Sequence, residues 1–273
     1  MQGNREVTVV KSNKLIEASY KLTLDEQRLI LSCIGQVDSK ADMSKIDRFK
    51  VTAKEFSNYS GVDIKSSYQQ LENAAQELYE RSVTFYDQDT NDILVTRWVS
   101  SVKYNSERGD VELCFANDIV PLISQIQSHF TKYKIENIAN LTSIHSIRIY
   151  ELCLQYLTIG HRVVSVDELK YYLGIENQYE QFKDLNKRVL KSAVDQINKY
   201  TDIKIKMDPI RENRKIISLK FEIESKQTRS QKVSKQKSEK EIRDLANKLN
   251  SLDQAKNLKP DKEKLKKPSF KLH

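Results

Sequence analysis

Lys183, Lys187 and Lys191 recur at every fourth position in YEQFKDLNKRVLKSAVDQINKY, Tyr179 to Tyr200. That spacing sets them on one face of a helix, with Asn198 further along it and Arg188 at its margin. Phe182, Leu185, Val189, Ala193 and Ile197 make an apolar stripe on the other side. The chemistry open to such a basic face is hydrogen-bond donation: Lys and Arg to phosphate oxygens, and Arg, Lys and Asn to base edges in a nucleic-acid major groove about 12 Å wide. The plain alternative is a solvated helix surface, since exposed lysines are ordinary. Two features favour the nucleic-acid reading. The turn PIREN that follows is basic, with Arg211, Arg214 and Lys215 around it, and residues 183–220 hold 11 basic side chains against 5 acidic ones.

Other chemistries find little support. The four histidines, His129, His145, His161 and His273, show no H-x-H, H-E-x-x-H or H-x₃₋₅-H spacing, which leaves no metal site and no metal-binding pair of a DNA-nicking enzyme. Nothing matches G-x-x-x-x-G-K-[ST], so ATP-driven unwinding by this chain is not expected. Thirteen tyrosines offer nucleophiles without a basic or metal partner in evident reach. Cys33, Cys114 and Cys153 are odd in number, far apart and flanked by apolar residues, as buried free thiols of a reducing compartment would be. The expectation is a binding protein with no catalytic residues, no metal and no cofactor.

The net charge of +8 is unevenly spread: residues 1–224 carry 31 Lys and Arg against 32 Asp and Glu, whereas residues 225–273 carry 15 against 6. The basic excess therefore sits in the tail, and residues 183–220 are the local exception within the rest. With 38% hydrophobic and 31% charged residues, 6 Gly and 4 Pro, the composition is that of a soluble, helix-rich protein. No run reaches the roughly 18 apolar residues of a membrane span and MQGNREVTVV lacks a signal peptide's pattern, which points to the cytoplasm, with no membrane and no small-molecule partner.

The basic helix has to be positioned, and the elements for that are legible. Thr23 caps a helix running through Gln36, with Leu22, Leu29, Ile30 and Cys33 inward. Leu15, Leu22 and Leu29 fall seven apart, too few positions for a zipper, and are read as core. FKVT is extended and runs into Thr52 and Glu55, a capping box that starts a short helix ending near Gly61. A longer helix spans about Ile64 to Arg81, with Leu71, Ala74, Ala75 and Leu78 on its apolar side, and SVTFYD, ILVTRWVSSVKYN and VELCF follow as strands, the last two joined by the turn SERGD. Helix, short strand, short helix, longer helix and β-hairpin, in that order, describe a winged helix.

The second half repeats the order. Ser143 to Leu157 is helical in period, RVVS is extended, and Ser165 with Glu168 forms a second capping box 113 positions after the first; at that offset Phe56 matches Leu169, Tyr59 matches Tyr172, Gly61 matches Gly174 and Val62 matches Ile175. The long helix Tyr179 to Tyr200 and the strands DIKIKM and IISLKFEIE complete it. Between the halves, the stretch after Pro121 reads as helical and would join or pack against both units. After Glu224 the chain is too poor in apolar residues to order, apart from a weak helix over Glu239 to Leu252. The two long helices differ in charge: the first carries Asp63, Glu72, Glu77 and Glu80 against Lys65 and Arg81. That contrast points to a division of labour, the second unit meeting DNA and the first mainly protein.

With this frame in place, VVKSNKLIEASYKLTLDEQRLIL (9–31) and YELCLQYL, VSVDELKYYLGI and YEQFKDLNKRVLKSAVDQINKYTDIKIK within 150–206 resemble the iteron-binding replication initiators of theta-replicating bacterial plasmids, over roughly residues 7 to 224. The resemblance implies a helix-rich α+β protein of two tandem winged-helix domains. Residues 1–138 would be the dimerisation domain with possible secondary DNA contacts, 139–224 the iteron-recognition domain, and 225–273 a basic, mostly disordered tail. It implies double-stranded origin DNA as partner, opening of an AT-rich segment, recruitment of host helicase and host initiator, and a monomer–dimer equilibrium in which dimers repress the initiator's own promoter. On this reading Lys183, Asn186, Lys187, Arg188 and Lys191 touch bases or flanking phosphates, and Arg211, Arg214 and Lys215 clamp the backbone. A tandem winged-helix transcriptional regulator would share every physical feature above. A nicking replication enzyme is disfavoured by the missing histidine pair.

Overall fold

The computed structural model describes residues 7–227 except Asp42, 44–46, 61, 62 and Gln88. The expected end of the first short helix at Gly61, the match of Val62 to Ile175, the weak helix over Glu239 to Leu252 and the tail beyond Gln227 lie outside the described residues.

The chain opens with β1 (Thr8–Ser12), the short α1 (Asn13–Ile16), β2 (Ser19–Tyr20) and α2 (Leu24–Ile34). α2 begins where Thr23 suggests: Glu26 N–H donates to Thr23 Oγ1 at 3.3 Å and Thr23 N–H to the Glu26 carboxylate at 2.9 Å. β3 (Phe49–Thr52) leads into α3 (Ala53–Ser60) through the expected second box, with Thr52 N–H on Glu55 at 2.9 Å and Glu55 N–H on Thr52 Oγ1 at 3.2 Å. α4 (Ile64–Glu80) follows, then β4 (Ser82–Tyr86), β5 (Ile93–Arg97), β6 (Val99–Asn105) and β7 (Asp110–Phe115). The single extended run read from Ile93 to Asn105 is broken at Trp98, which is fully buried. β5 therefore joins a sheet in the order β2-β4-β5, while β6 joins one in the order β3-β7-β6.

The stretch after Pro121 is not a helix. It holds a 3₁₀ turn over Val120–Leu122, the strand β8 (Phe130–Lys134) and a second 3₁₀ turn over Ile135–Asn137. β8 pairs antiparallel with β1, Tyr133 facing Val9 and Thr131 facing Lys11. Proline breaks the helical ladder at the start of the stretch. Thr131 and Tyr133 are buried while Phe130, Lys132 and Lys134 are exposed, the period of two that a strand requires.

The second unit consists of α5 (Ile144–Leu154), β9 (His161–Ser165), α6 (Val166–Tyr172), α7 (Phe182–Leu185), a π turn over Asn186–Leu190, α8 (Lys191–Tyr200), β10 (Ile203–Glu212) and β11 (Lys215–Ser225). Its own capping box joins Ser165 and Glu168 through bonds of 2.9 and 3.1 Å. The sheet runs in the order β10-β11-β9, so the strand before the short helix pairs with the last strand of the hairpin, as β3 pairs with β7. The repeat read from sequence is thus a repeat of topology, and Phe56 and Leu169, equivalent in the two copies, are both buried.

Described residues up to Lys226 pack as one body. Charged side chains cross the junction between the units: Lys11 meets Glu151, Arg162 meets Glu17 at 2.8 Å, and the fully buried Arg148 donates to the carbonyl of Ala18 at 2.8 Å and lies over the Tyr20 ring at 3.8 Å. No helix among the described residues is long and apolar enough to cross a membrane.

Candidate nucleic-acid interface

α6 leads to the basic helix through Gly174, whose φ of +67° is in the left-handed region. A Cβ there would come within 2.4 Å of the Tyr20 carbonyl oxygen. The close approach seats the end of α6 on β2, and the chain then turns through Tyr179 at φ +53° into the helical rod from Phe182 to Tyr200. α7, the π turn and α8 follow one another without a gap. The expected apolar stripe is present, with Leu185, Val189, Ala193 and Ile197 each at most 3% exposed, but Leu190 is buried as well and Phe182 is only half-buried. The π turn spans Asn186–Leu190, and Val189 and Leu190 are both buried at its end.

Opposite the stripe, Lys183, Lys187, Arg188 and Lys191 are exposed and Asn186 is half-exposed. Among the described residues none of the four cations has a carboxylate within salt-bridge reach. Asn198, read from the sequence as part of this face, is turned inward: its side-chain amide donates to Ile205 O at 2.9 Å and its carbonyl accepts from Ile205 N–H at 2.7 Å. Asn198 therefore rivets α8 to β10. A cleft of about 430 Å³ lies between that helix and that strand, bringing Asn186 and Lys191 together with Lys204 and Lys206. Lys204 and Lys206 were not among the residues expected here. Their signal was the alternation Ile203-Lys204-Ile205-Lys206, which as a strand must put both lysines on one face.

The wing also differs from the sequence reading. PIREN is not the turn: β10 continues through Pro209 and Arg211 to Glu212, and only Asn213, at φ +55°, and Arg214 reverse the chain. Pro209 is tolerated because β10 is the edge strand of its sheet, where a missing N–H interrupts no ladder on the open side. A register shift between Ile210 and Arg211 twists the tip. Arg214 thus stands in the turn, with Arg211 and Lys215 flanking it on the two strands. All three are exposed, and none forms an ion pair among the described residues. Lower on the hairpin the charges are neutralised locally, Lys206 by Asp208 at 2.7 Å and Lys220 by Glu222 at 3.4 Å.

In the first unit Arg81 is bound by Glu26 and Glu77, Arg97 by Glu80, Arg108 and Lys50 by Asp110, and Lys103 by Glu112. Asp110 is almost fully buried, and the Arg108 and Lys50 partners hold its carboxyl below the usual carboxylate range. Arg28, Arg81, Arg97 and Arg108 of the first unit thus serve its own carboxylates, while Lys14, Lys21, Lys40, Arg48, Lys54 and Lys132 form no ion pair among the described residues. The cations of the second unit's rod and wing tip have no ion-pair partner among the described residues.

Cys33, Cys114 and Cys153 are buried free thiols, as expected. Burial pushes the Cys153 thiol up to about 12, against the opposing influence of Arg162. Among the described residues no group of three or more His, Cys, Asp or Glu side chains is placed to hold a metal ion.

Residues 8–154 match the family model described as "Initiator Replication protein, WH1", and residues 165–223 the one described as "Initiator Rep protein, WH2". A "Replication initiation protein" of Escherichia coli is 30% identical over 226 residues, covering 80% of this chain and 70% of that protein. An "Uncharacterized 27.6 kDa protein" of the same organism is 26% identical over 211 residues, covering 73% of this chain and 88% of its own. Among solved structures, one described as "Crystal structure of Pi initiator protein in complex with iteron DNA" superposes with a TM-score of 0.69 at 24% identity, covering 81% of this chain and 98% of its own.

Proposed function

The chain belongs to the initiator replication protein family, and from that premise we propose that it binds repeated sequences, iterons, in double-stranded DNA at a plasmid origin and acts by binding without catalysis. The observation that carries this reading is electrostatic. Seven cations, Lys183, Lys187, Arg188, Lys191, Arg211, Arg214 and Lys215, stand exposed on one helical rod and one wing tip, without ion pairs among the described residues, whereas Arg81, Arg97 and Arg108 of the first unit are each held by a carboxylate. Unpaired Lys and Arg on adjoining elements neutralise phosphates, with release of the counterions condensed on DNA. The rod supplies donors for base edges, Asn186, Lys187 and Arg188 among them, and the wing reaches the flanking backbone. A protein of the same fold has been crystallised with iteron DNA, which supports the choice of ligand.

Residues 1–138 would then serve as the protein-facing domain, in a monomer–dimer equilibrium that represses the initiator's own promoter, and 139–224 as the DNA-reading domain. Opening of an AT-rich origin segment and recruitment of host helicase and host initiator follow as the tasks of the bound protein. The test is a gel shift on the direct repeats lying beside the gene, against a scrambled duplex of equal length. Wild type should prefer the repeats, and Lys187→Ala with Arg188→Ala should abolish that preference; unchanged affinity and selectivity in the double variant would overturn the assignment.

A further inference from the structure

A strand lysine stands beside the rod. β10 is the edge strand of its sheet, and its first residues alternate, with Ile203 and Ile205 buried and Lys204 exposed between them. Asn198 holds Ile205 through both its amide and its carbonyl, at 2.9 and 2.7 Å. The β10 backbone next to Lys204 is therefore tied to α8 at a fixed distance. Those two bonds and the alternation bring a strand lysine to a helix lysine: Lys204 and Lys191 line one cleft of about 430 Å³.

The three lysines lining the cleft are not equivalent. Lys206 is committed to Asp208 at 2.7 Å, with Glu222 at 3.9 Å. Lys191 and Lys204 form no ion pair among the described residues, although Glu224 stands opposite Lys204 in the ladder. Asp195, four positions after Lys191 on the rod, also lines the cleft. It too has no hydrogen bond or ion pair among the described residues. Two uncommitted ammonium groups against one carboxylate leave an excess of one positive charge, which matches a single phosphodiester. Val194 and Met207, half-buried, add aliphatic lining that suits a deoxyribose.

We infer that this cleft is a phosphate seat, in which Lys191 from the rod and Lys204 from β10 close on one backbone phosphate of the bound DNA. A helix lying in a major groove has a phosphate backbone along each side of it, and contacts to that backbone fix the helix's register without reading sequence. Lys204 is thus a binding residue supplied by neither the rod nor the wing tip. Asp195 opposes the same phosphate and limits how tightly the seat holds any duplex. The inference rests on the DNA reading of the rod and adds a third point of attachment to it.

The experiment is a salt titration of DNA binding by the full chain, read by fluorescence anisotropy on a labelled repeat duplex and on a scrambled one. Lys204→Ala should weaken both duplexes by the same factor and reduce the slope of log K against log salt by roughly 0.9, with the preference for repeats intact. Asp195→Asn should strengthen both. Lys191→Ala combined with Lys204→Ala should lose less than the sum of the two single losses, because the pair serves one phosphate. Lys220→Ala, whose ammonium lies on Glu222 at 3.4 Å in the same sheet, is the control and should leave the slope unchanged. A Lys204→Ala variant indistinguishable from this control overturns the seat. So does a loss of repeat preference at unchanged slope, which would make Lys204 a base contact, and so does an additive double variant, which would put the lysines on separate phosphates. If Lys204→Ala is silent while Lys187→Ala with Arg188→Ala abolishes the preference, the seat alone fails; if both are silent, the DNA reading fails with it. Lys204→Gln keeps the aliphatic stem and repeats the charge removal if alanine disturbs the strand in a thermal melt.

Discussion

Lys11 and Glu151, 140 positions apart in the chain, meet as an ion pair with both side chains fully excluded from solvent, the ammonium 2.8 and 3.0 Å from the two carboxylate oxygens. Tyr133 Oη also donates to Glu151, and Arg148 approaches it at 3.9 Å. Burial, then the adjacent carboxylate, pushes the Tyr133 phenol well above its ordinary range, so it remains a donor. The cluster joins β1 and β8 of the first unit to α5 of the second.

Breaking this pair from one side should cost more than deleting it. Glu151→Gln leaves the Lys11 ammonium buried without its counter-charge, and the expected loss is about 3–5 kcal/mol of unfolding free energy. Lys11→Met combined with Glu151→Gln should recover a large part of that. Urea titrations followed by the fluorescence of Trp98 measure both; equal losses in the single and the double variant would show that the pair is not coupled.

Gly174 and Gly160 make a matched comparison. Both have positive φ, +67° and +84°, so alanine at either carries backbone strain of about 1–2 kcal/mol. At Gly160 the added Cβ has room, its nearest neighbour being Ile223 O at 3.9 Å, whereas at Gly174 it meets the Tyr20 carbonyl at 2.4 Å. Gly174→Ala should therefore be clearly the more destabilising in a thermal melt. It should also weaken repeat binding in a gel shift, because Gly174 sets the approach of the basic rod.

Stability should fall as pH drops from neutral. Burial, then the nearby Arg148 charge, lowers the His145 pKa below its ordinary 6.5, and His145 Nδ1 is buried with no hydrogen-bond partner. The unfolded chain then binds the proton more readily than the folded one. Stability is fully present above the unfolded pKa and is lost as pH falls through 6.5 towards the lower folded value, by at most about 1.4 kcal/mol per pH unit. Urea midpoints between pH 7.5 and 5 should show this slope, and His145→Gln should flatten it.

Rod and wing should separate in salt titrations of DNA binding. Arg214→Ala with Lys215→Ala should weaken binding to repeats and to scrambled DNA alike, and should reduce the slope of log K against log salt by roughly 0.9 for each phosphate no longer neutralised. The Lys187→Ala and Arg188→Ala pair should act chiefly on the preference for repeats, at about 1–3 kcal/mol for each base edge no longer read.

Ending the chain at Gln227 should flatten the salt dependence while sparing repeat selectivity. Residues 225–273 carry 15 basic against 6 acidic side chains, and charge of this kind adds affinity without reading sequence. Loss of selectivity in the shortened chain would place recognition in the tail.

Local chemistry was legible in the sequence wherever its cause was local. The boxes at Thr23, Thr52 and Ser165 start helices because cap and carboxylate are three residues apart in one chain segment, and the apolar stripe from Leu185 to Ile197 and the acidic-to-basic contrast between the two long helices follow from spacing and residue type alone. These local signals, placed in order, were enough to determine two winged-helix units and a basic second one. What lay beyond them depended on partners far along the chain. β8 could not be told from a helix until β1 was beside it, and Asn198 could not be told from a DNA contact until Ile205 took its amide. Nothing in the sequence sets Lys11 apart from a surface lysine. Only the tertiary fold brought Glu151 to it, because a buried charge is tolerated only where its counter-charge arrives.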